Sequence, residues 1–300
     1  MPETPSNRPQ NGESEHPLRL PGRPEGENGG GRPVRKDEIV VDERGLYIES
    51  WLPERRSRRR PLYLLHGELG GSWLWERYLG YFARRGWEAH ALNLRGHFWA
   101  DVADVASLTF DSYVADVRAG LARLAPRPVM IGHGLGALLA LKVAETADSS
   151  GLVLISPPLP RELRPPVEPH RLREVPDVFR RDFLGWAGLP ERIRRANPDL
   201  ATEDVMRVQH LMGLESGAAR RAMLAGISID RQALAEVPIL VVGAGLDRIF
   251  PEPASERVAE WLGAEYQPFG AHSHYGLVLG EPSHRQVADV IRAFLEAHRL

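Results

Sequence analysis

The sequence predicts an α/β fold: a mostly parallel central sheet with helices on both faces, and a helical cap inserted after the strand that ends at Ser156. Three observations support this prediction. Short, continuously apolar runs, typical of buried parallel strands, alternate with segments of helical periodicity. One apolar run, within residues 129–140, passes through a glycine-rich turn directly into an apolar helix. The alternation then stops over about residues 157–236, which are rich in arginine, proline and helix-forming residues and carry no strand pattern.

The composition indicates a soluble globular protein and excludes several classes of function. The chain has 300 residues, 43% of them hydrophobic, and a formal net charge of -2, which implies no strong attraction to nucleic acid or to an anionic membrane. No apolar run approaches the ~18 residues of a membrane span, and the N-terminus lacks the pattern of a secretory signal. Cysteine is absent, which excludes disulfides, thiolate catalysis and cysteine-ligated metals. We therefore expect a cytoplasmic protein.

The chain divides into a tail and one domain. Residues 1–36 are rich in proline, glycine, asparagine, glutamate and arginine and nearly lack large apolar side chains. Such a segment cannot bury enough surface to offset the entropy lost on ordering, so we expect a disordered tail. Residues 37–300 are predicted to form the α/β domain, with the cap at about residues 157–236.

The domain begins with two predicted strands, Ile39–Val41 and Leu46–Leu52, joined by a turn at residues 42–45. The basic run Arg55–Arg60 is interpreted as a solvated turn, with an anion or nucleic-acid patch as the weaker alternative. Pro61–Leu65 is continuously apolar, as expected for a buried parallel strand, and leads into a glycine-containing loop.

Strands and helices then alternate. Ser72–Arg85 is predicted to be a helix with Ser72 as its N-cap, and Trp87–Leu94 a strand. Phe110–Leu124 is predicted to be a helix because its large apolar residues recur on one face. The remaining strands and helices are predicted, in order, at Val129–Ile131, Leu138–Ala147, Gly151–Ser156, Pro238–Gly243, Gly263–Phe269 and Ser283–His298.

Seven of the cap's larger apolar side chains are singled out here. We interpret them mainly as the cap's own core; the alternative is that some of them line a pocket. They are Phe179, Phe183, Trp186, Met206, Leu211, Met212 and Met223.

The junction between the strand at 129–131 and the following helix has an unusual sequence. Residues 132–136 read Gly-His-Gly-Leu-Gly, in the frame of the nucleophile elbow G-x-S-x-G, whose strained turn presents a serine hydroxyl. Gly134 stands where that serine would be. Glycine adopts a positive φ without a Cβ clash, so it keeps the turn and relieves a strain of order 1–3 kcal/mol.

Five motifs in a fixed order make residues 37–300 resemble the α/β-hydrolase superfamily, in its esterase- and lipase-like branch with a helical cap. The motifs are His66-Gly67, Leu94–His97, Gly132–Gly136, Gly243–Pro251 and Ser273–Leu277. The resemblance implies that Asp247 is the acid and His274 the histidine of a catalytic triad, in the family's order of nucleophile, acid and histidine.

Each of these assignments has an alternative. Asp247 could instead cap a turn. His272 competes with His274, although the downstream pair Glu281-Pro282 suits His274 better. The pair His272 and His274 has no third ligand at metal-site spacing, so no metal is expected. His133, beside the turn, is expected to pack away from the pocket.

The resemblance also implies an oxyanion hole, whose two backbone N–H donors map to Leu135 and to Glu68, the residue after Gly67. Glu68 departs from what such a hole needs, because a carboxylate opposes a developing oxyanion. Three interpretations stay open. The side chain points away at the surface, which we favour; the site no longer stabilises that kind of charge; or Glu68 itself acts as a base.

Gly134 disfavours an ordinary serine-esterase mechanism, because removing the nucleophile lowers the turnover of serine hydrolases by about 10⁶. Three hypotheses remain. The protein binds a small, mostly apolar ligand under its cap without turnover, or it uses His274 and Asp247 for acid–base chemistry without an acyl-enzyme. In the third, it hydrolyses carboxylic esters like its kin, and Gly134 is a dispensable or an engineered position. In every case we expect a small-molecule ligand or substrate, and no cofactor, nucleic-acid partner or membrane partner.

Overall fold

The computed structural model describes residues 33–55 and 57–300. Residues 1–32, nearly all of the tail predicted to be disordered, lie outside the described residues. The first strand, β1 (Val34–Val41), includes residues 34–36, which the sequence analysis assigned to the tail. Its Arg35 and Lys36 are exposed, so backbone pairing with the next strand, and not an apolar pattern, holds this part of β1 in place.

The structure contains one large sheet and one very short strand pair. Eight strands form the sheet in the order β1-β2-β4-β3-β5-β6-β9-β10, and β7 pairs with β8. Pairing is antiparallel at β1–β2 and β2–β4 and parallel from β4 through β10, which confirms the mostly parallel sheet. The strands after β1 are β2 (Leu46–Pro53), β3 (Leu62–Leu65), β4 (Ala89–Asn93), β5 (Val129–His133), β6 (Gly151–Ile155), β7 (Val178–Phe179), β8 (Glu215–Ser216), β9 (Ile239–Ala244) and β10 (Glu265–Phe269).

The helices cover both faces of the sheet. Every residue of β3 is buried, and successive side chains enter two different apolar clusters: Leu62 and Leu64 lie in one, Tyr63 and Leu65 in the other. The helices are α1 (Glu76–Ala83), α2 (Phe110–Leu121), α3 (Leu135–Ala144), α4 (Pro169–Arg173), α5 (Pro190–Ala196), α6 (Thr202–Leu211), α7 (Gly217–Ala225), α8 (Glu252–Leu262), α9 (Gly276–Leu279) and α10 (Ser283–Ala297). Helices α1 and α10 pack in the first cluster, and α2, α3 and α8 in the second. In the described part of the chain, none of these helices is long and apolar enough to cross a membrane.

The cap follows β6 and precedes β9, and it contains α4 to α7 and the β7–β8 pair. The segment was expected to contain no strand. The pair joins Val178 to Ser216 and Phe179 to Glu215, and two residues per strand are too few to produce a period in the sequence.

Two details of the predicted helices differ from the structure. Ser72 is not an N-cap: residues 72–75 form a 3-10 turn, α1 begins at Glu76, and the Ser72 hydroxyl is buried with no partner among the described residues. Helix α8 was not among the predicted helices. It begins directly after Pro251 and has Pro253 in its first turn. Proline is tolerated there because the N–H groups of the first turn have no acceptor within the helix.

Candidate active site

The junction between β5 and α3 is one residue, Gly134. Its φ of 53° and ψ of -119° lie in a region that residues with a Cβ rarely adopt. Its N–H donates to the carbonyl oxygen of Ile155 at 2.9 Å, and its own carbonyl accepts from the N–H of Ala137 at 3.0 Å. The turn is therefore held by backbone hydrogen bonds at the carboxyl edge of the sheet.

The two flanking glycines are required by close packing. A Cβ on Gly132 would lie 2.3 Å from the carbonyl oxygen of Gly136, and a Cβ on Gly136 would lie 2.2 Å from that of Leu65. The first turn of α3 can thus pack directly on the backbone of its neighbours. The middle glycine is required by its positive φ, and the outer two are required because a Cβ would clash with neighbouring backbone atoms.

Gly136→Ala is expected to destabilise the protein by about 1–3 kcal/mol or more, the usual cost of overpacking, because backbone atoms cannot swing aside as a side chain could. Urea unfolding followed by circular dichroism measures the change. Gly213→Ala is the matched control, since nothing lies within 4 Å of a Cβ at that position. Equal losses in the two variants would contradict the packing argument.

His274 and Asp247 are in contact at the same edge of the sheet. The distance between His274 Nδ1 and Asp247 Oδ2 is 2.7 Å, and both side chains are buried. The second carboxylate oxygen, Oδ1, accepts from the N–H groups of Ile249 and Phe250 at 2.7 and 2.8 Å. These bonds fix the carboxylate, which in turn orients the imidazole. With Nδ1–H donating to Asp247, Nε2 is the ring nitrogen left for other chemistry.

The alternative histidine, His272, makes no such contact. Its N–H donates to the carbonyl oxygen of Phe269, its ring lies 5.0 Å from the Phe269 ring, and no hydrogen bond joins it to Asp247. The geometry thus pairs Asp247 with His274 and leaves His272 outside the pair.

A side chain at position 134 would point toward His274. A Cβ on Gly134 would lie 3.3 Å from both Nε2 and Cε1 of His274, and 3.4 Å from the Phe250 ring. The turn, the histidine and the aspartate, which the sequence separates widely, therefore converge at one point.

His133 supports the His274 ring from inside the fold. The two ring centroids are 4.1 Å apart, and His133 Nε2 donates to the His274 carbonyl oxygen at 3.1 Å. Burial, together with the charge of His274, lowers the pKa of His133 well below its ordinary value, so the ring is neutral. Its contact is with the ring and backbone of His274, and it does not line the cavity described below.

The loop after β3 carries Gly67 and Glu68 beside this point. His66 Nε2 accepts the N–H of Leu94 at 3.2 Å, so His66 Nδ1 carries the proton and donates to the Gly67 carbonyl at 2.8 Å. Burial lowers the pKa of His66 to about 3, in agreement with this neutral form. Within the described residues, the N–H groups of Glu68 and Leu135 have no protein acceptor.

The Glu68 side chain is not at the surface, contrary to the interpretation we favoured from the sequence. It is 5% exposed and accepts a hydrogen bond from Arg220 of cap helix α7, with Nη1 and Oε2 2.5 Å apart. Burial raises the pKa of Glu68, and the Arg220 charge opposes that effect only in part. The surface interpretation failed because the neutralising arginine comes from a distant segment of the chain.

A second buried carboxylate, Glu215 of β8, ties the cap to the sheet. Its Oε2 accepts from the N–H of Leu69 at 3.0 Å and from His97 Nε2 at 3.2 Å, and its Oε1 accepts from the Tyr113 hydroxyl at 2.6 Å. His97 Nδ1 lies 3.0 Å from the carbonyl oxygen of Arg95, so both ring nitrogens face acceptors, as in a protonated imidazole.

The pKa values of this pair are shifted in opposite directions. Burial alone would raise the pKa of Glu215, but the His97 charge and the donated hydrogen bonds lower it to about 2. Burial alone would lower the pKa of His97, but Glu215 and the bond to the Arg95 carbonyl raise it above its ordinary value of 6.5. Both groups are therefore ionised in the range between their ordinary pKa values of 4.5 and 6.5.

Another cap residue, Asp199, holds the loop that carries His274. Its Oδ2 accepts the N–H of Ser273 at 2.9 Å and its Oδ1 accepts the Ser273 hydroxyl at 2.6 Å. Gly276 allows this approach, because a Cβ there would clash with the Asp199 carboxylate. On the other side of the loop, the Tyr275 hydroxyl donates to the Glu68 carbonyl at 3.4 Å. The cap thus contributes to the position of the histidine.

A cavity of about 560 Å³ opens beside His274, between the cap and the loop after β9. Of the seven apolar cap residues singled out in the sequence, only Trp186 lines it; its ring meets that of Tyr275 edge-on at 5.0 Å. Phe179 and Met223 are buried in the cores, whereas Phe183 and Met206 are exposed.

Ser72, Ser156 and Ser273 follow β3, β6 and β10, and of these three serines Ser156 has the most unusual environment. It follows β6 with a φ of 46°, it is buried, and its hydroxyl has no partner among the described residues. Ser273 is engaged by Asp199, and Ser72 lies in the 3-10 turn before α1. No hydrogen bond joins any of the three to the ring of His274.

Sequence reasoning missed Glu215, Arg220 and Asp199. Each is a charged cap residue whose partner lies far away in the chain, and the cap was considered only through its apolar side chains. The usable indication was the strand-end motif Leu94–His97, whose histidine turns out to be buried and to need a counter-charge.

Curated relatives match only a short part of the chain. Protein ABHD8 of Mus musculus and Protein ABHD8 of Homo sapiens are each 38% identical to it over 77 residues, which is 25% of this chain and 18% of theirs. The chain therefore covers less than a fifth of the length of these relatives.

Solved structures match much more of the chain, but at low identity. One comes from a study of carboxylesterases of Nitrososphaera gargenis, with TM-score 0.65, 16% identity and coverage of 88% of this chain and 99% of that one. A bromoperoxidase from Bacillus anthracis gives a TM-score of 0.66 at 13% identity, and the match covers 87% of this chain and 100% of that one. The thioesterase domain of the curacin biosynthetic pathway gives a TM-score of 0.60 at 17% identity, and the match covers 89% of this chain and 100% of that one. These likenesses show the fold, which by itself does not select a reaction.

The family is established over a longer stretch than the ABHD8 proteins match. The model of the alpha/beta hydrolase family matches residues 62–290, from β3 into α10, and so includes the turn at Gly134, the Asp247 loop and the His274 loop. Because this match spans more than half of the chain, the chain belongs to the alpha/beta hydrolase family.

Proposed function

We propose that the chain is an enzyme that uses His274 and Asp247 as an acid–base pair on a small molecule, without forming an acyl-enzyme. The observation that carries this proposal is the 2.7 Å contact between His274 Nδ1 and Asp247 Oδ2, beside a residue, Gly134, that has no side chain. A protein that only binds a ligand has no need of a buried, oriented base at the edge of its cavity.

The pair suits proton transfer. In the reaction we propose, His274 Nε2 removes a proton from a water molecule or from the substrate and later returns it to the leaving group. The Asp247 carboxylate stabilises the imidazolium that exists between these two steps. General acid–base catalysis of this kind typically contributes a factor of about 10²–10⁴.

Gly134 takes the place of the family's serine in this proposal. Without a hydroxyl, the covalent route is closed, and the space in front of His274 Nε2 is left for a water molecule or for a hydroxyl or C–H group of the substrate. The lyase, isomerase and direct-hydrolysis classes all need no more than this arrangement. A serine-dependent mechanism would need a nucleophile that the turn does not supply.

The surroundings of Glu68 support chemistry other than ester cleavage. Its carboxylate is buried, it is close enough to His274 for the two charges to interact, and Arg220 offsets its charge only in part. A group of this kind adds to the negative charge that acyl transfer would develop there, which makes the site a poorer oxyanion hole.

Carboxylic-ester hydrolysis by direct attack of water is the second candidate function. It is favoured by the N–H groups of Glu68 and Leu135, which have no protein acceptor in the described part of the chain. Two free donors at this place are what a developing oxyanion requires, and the fold is shared with carboxylesterases.

Activated esters report on a general base whatever its natural reaction, because a base that activates water also cleaves them. Hydrolysis of 4-nitrophenyl acetate and butyrate by the wild type, His274→Ala and Asp247→Asn therefore tests the acid–base pair. We expect turnover without a burst, with no covalent adduct by intact-protein mass spectrometry, and a loss of about 10²–10⁴ in His274→Ala. Asp247→Asn is expected to lose a similar factor, because the amide favours the wrong tautomer.

Ser156→Ala is the control for a displaced nucleophile and is expected to keep full activity. Turnover that survives His274→Ala, or an acyl adduct on a serine of the wild type, would refute the acid–base proposal. Ligand-dependent stabilisation with no turnover of any substrate would instead identify a binding protein.

A further inference from the structure

We infer that the substrate of this site is a small amphiphilic acid, whose carboxylate or phosphate is held by Arg192, Arg195 and Arg248 while its apolar body extends toward His274. The inference names the substrate class for the function proposed above and rests on it only for the reacting end. All three arginines line the cavity that His274 also lines.

Two of the arginines come from cap helix α5 and share one face of it. Arg192 and Arg195 are three residues apart, the spacing of neighbours on a helix surface, and within the described residues neither side chain has a hydrogen-bond or ion-pair partner. The intervening Arg194 differs: its guanidinium donates to the Leu200 carbonyl and to the Thr202 hydroxyl.

The third arginine comes from a different element of the fold. Arg248 directly follows Asp247 in the loop after β9, and it too has no side-chain partner among the described residues. No aspartate or glutamate of the described chain lines this cavity, although acidic residues are as numerous as basic ones in the sequence as a whole. Positive charge is therefore concentrated from two elements on one cavity and is left uncompensated there.

Such an arrangement favours an oxyanion. Like charges on neighbouring helix positions repel each other, and a bound anion would remove that cost. The planar guanidinium group donates two parallel hydrogen bonds to a carboxylate or a phosphate. Apolar lining residues, among them Trp186, Ile249 and Tyr275, suit the rest of the molecule. The mostly apolar ligand expected from the sequence thus becomes an apolar body with a charged end.

Isothermal titration with three six-carbon probes tests the inference: hexanoate, hexyl phosphate and neutral hexanamide, at low ionic strength. We expect at least one of the two anions to bind about tenfold or more tightly than hexanamide, with an affinity that falls as salt is added. The tighter of the two anions identifies the head group.

The variants Arg192→Gln, Arg195→Gln and Arg248→Gln are each expected to weaken anion binding by about three- to tenfold, and the triple variant to abolish the preference over hexanamide. Arg171→Gln is the matched control and should bind as the wild type does, because Arg171 is an exposed cap arginine outside the cavity with no side-chain partner among the described residues. Equal binding of hexanoate, hexyl phosphate and hexanamide by the wild type, or an unchanged preference in the folded triple variant, would overturn the inference.

The two proposals fail separately. If His274→Ala loses turnover but still prefers an anion to hexanamide, both stand. If turnover depends on His274 while no probe shows anion preference, the acid–base function stands and the acidic substrate class is rejected. If anions bind through the arginines while His274→Ala turns over substrate as fast as the wild type, the cavity is an anion site and the acid–base proposal is rejected.

Discussion

Gly134→Ser is expected to be labelled covalently by a fluorophosphonate and to hydrolyse 4-nitrophenyl acetate at least about 10²-fold faster than the wild type. The introduced Cβ would lie 3.3 Å from His274 Nε2, so the hydroxyl, one bond further out, comes within hydrogen-bonding reach of an imidazole that Asp247 already orients. The full gain of about 10⁶ that a nucleophile supplies in serine hydrolases is not expected, because the buried Glu68 carboxylate, whose charge interacts with His274, opposes a developing oxyanion.

The serine has a cost in stability that a second variant can separate. A side chain at a φ of 53° and ψ of -119° is strained by about 1–3 kcal/mol, and His274 and Phe250 must yield by a few tenths of an ångström. Gly134→Ala carries the same Cβ and the same strain but no hydroxyl. We expect it to lose as much free energy of unfolding as Gly134→Ser and to remain unlabelled.

The double variant Gly134→Ser with His274→Ala is expected to lose the labelling, since the hydroxyl then has no base. A folded Gly134→Ser protein that is neither labelled nor active would show that the oxyanion loop no longer supports acyl transfer. That result would leave the chemistry at His274 Nε2 to reactions that develop no oxyanion.

The fold could be predicted because short sequence patterns within each element specify it. The strands at β3, β5, β6 and β9 are continuous apolar runs, buried on both faces, and the turn at 132–136 carries glycines where packing and conformation demand them. The resemblance to the α/β-hydrolase superfamily implied the roles of Asp247 and His274, and the structure brings the two side chains into contact. Local propensity did not predict the 3-10 start before α1, where three buried side chains, Trp73, Leu74 and Trp75, determine the backbone.

The charged contacts under the cap could not be predicted in the same way. Glu68 and Arg220 are 152 residues apart in sequence, and His97 and Glu215 are 118 apart. Neither pair produces a period or a motif, and an isolated glutamate in a polar segment is usually solvated. Only the packing of the cap onto the sheet edge shows that these groups are buried and must neutralise one another.

Glu215→Ala is expected to lower the free energy of unfolding by about 3–5 kcal/mol, the usual loss when one partner of a buried ion pair is removed. The remaining His97 would be buried without its counter-charge, and the Tyr113 hydroxyl and the Leu69 N–H would lose their acceptor. Asp177→Ala, which removes a cap ion pair whose aspartate side chain is 82% exposed, is the matched control. It should cost no more than about 1 kcal/mol.

The pH dependence of the same pair gives a test that a purely steric effect would not pass. The pKa of Glu215 is lowered to about 2, so its contribution is present above its ordinary value of 4.5 and is lost as the pH falls toward 2. The pKa of His97 is raised above 6.5, so its contribution is present below 6.5 and is lost as the pH rises through the raised value. The pair therefore stabilises most between these two ordinary values, and the difference in unfolding free energy between the wild type and Glu215→Gln should be larger at about pH 6 than at about pH 9. A difference independent of pH would mean that His97 is neutral in the folded protein, and the cap would then be held to the sheet by hydrogen bonds and packing alone.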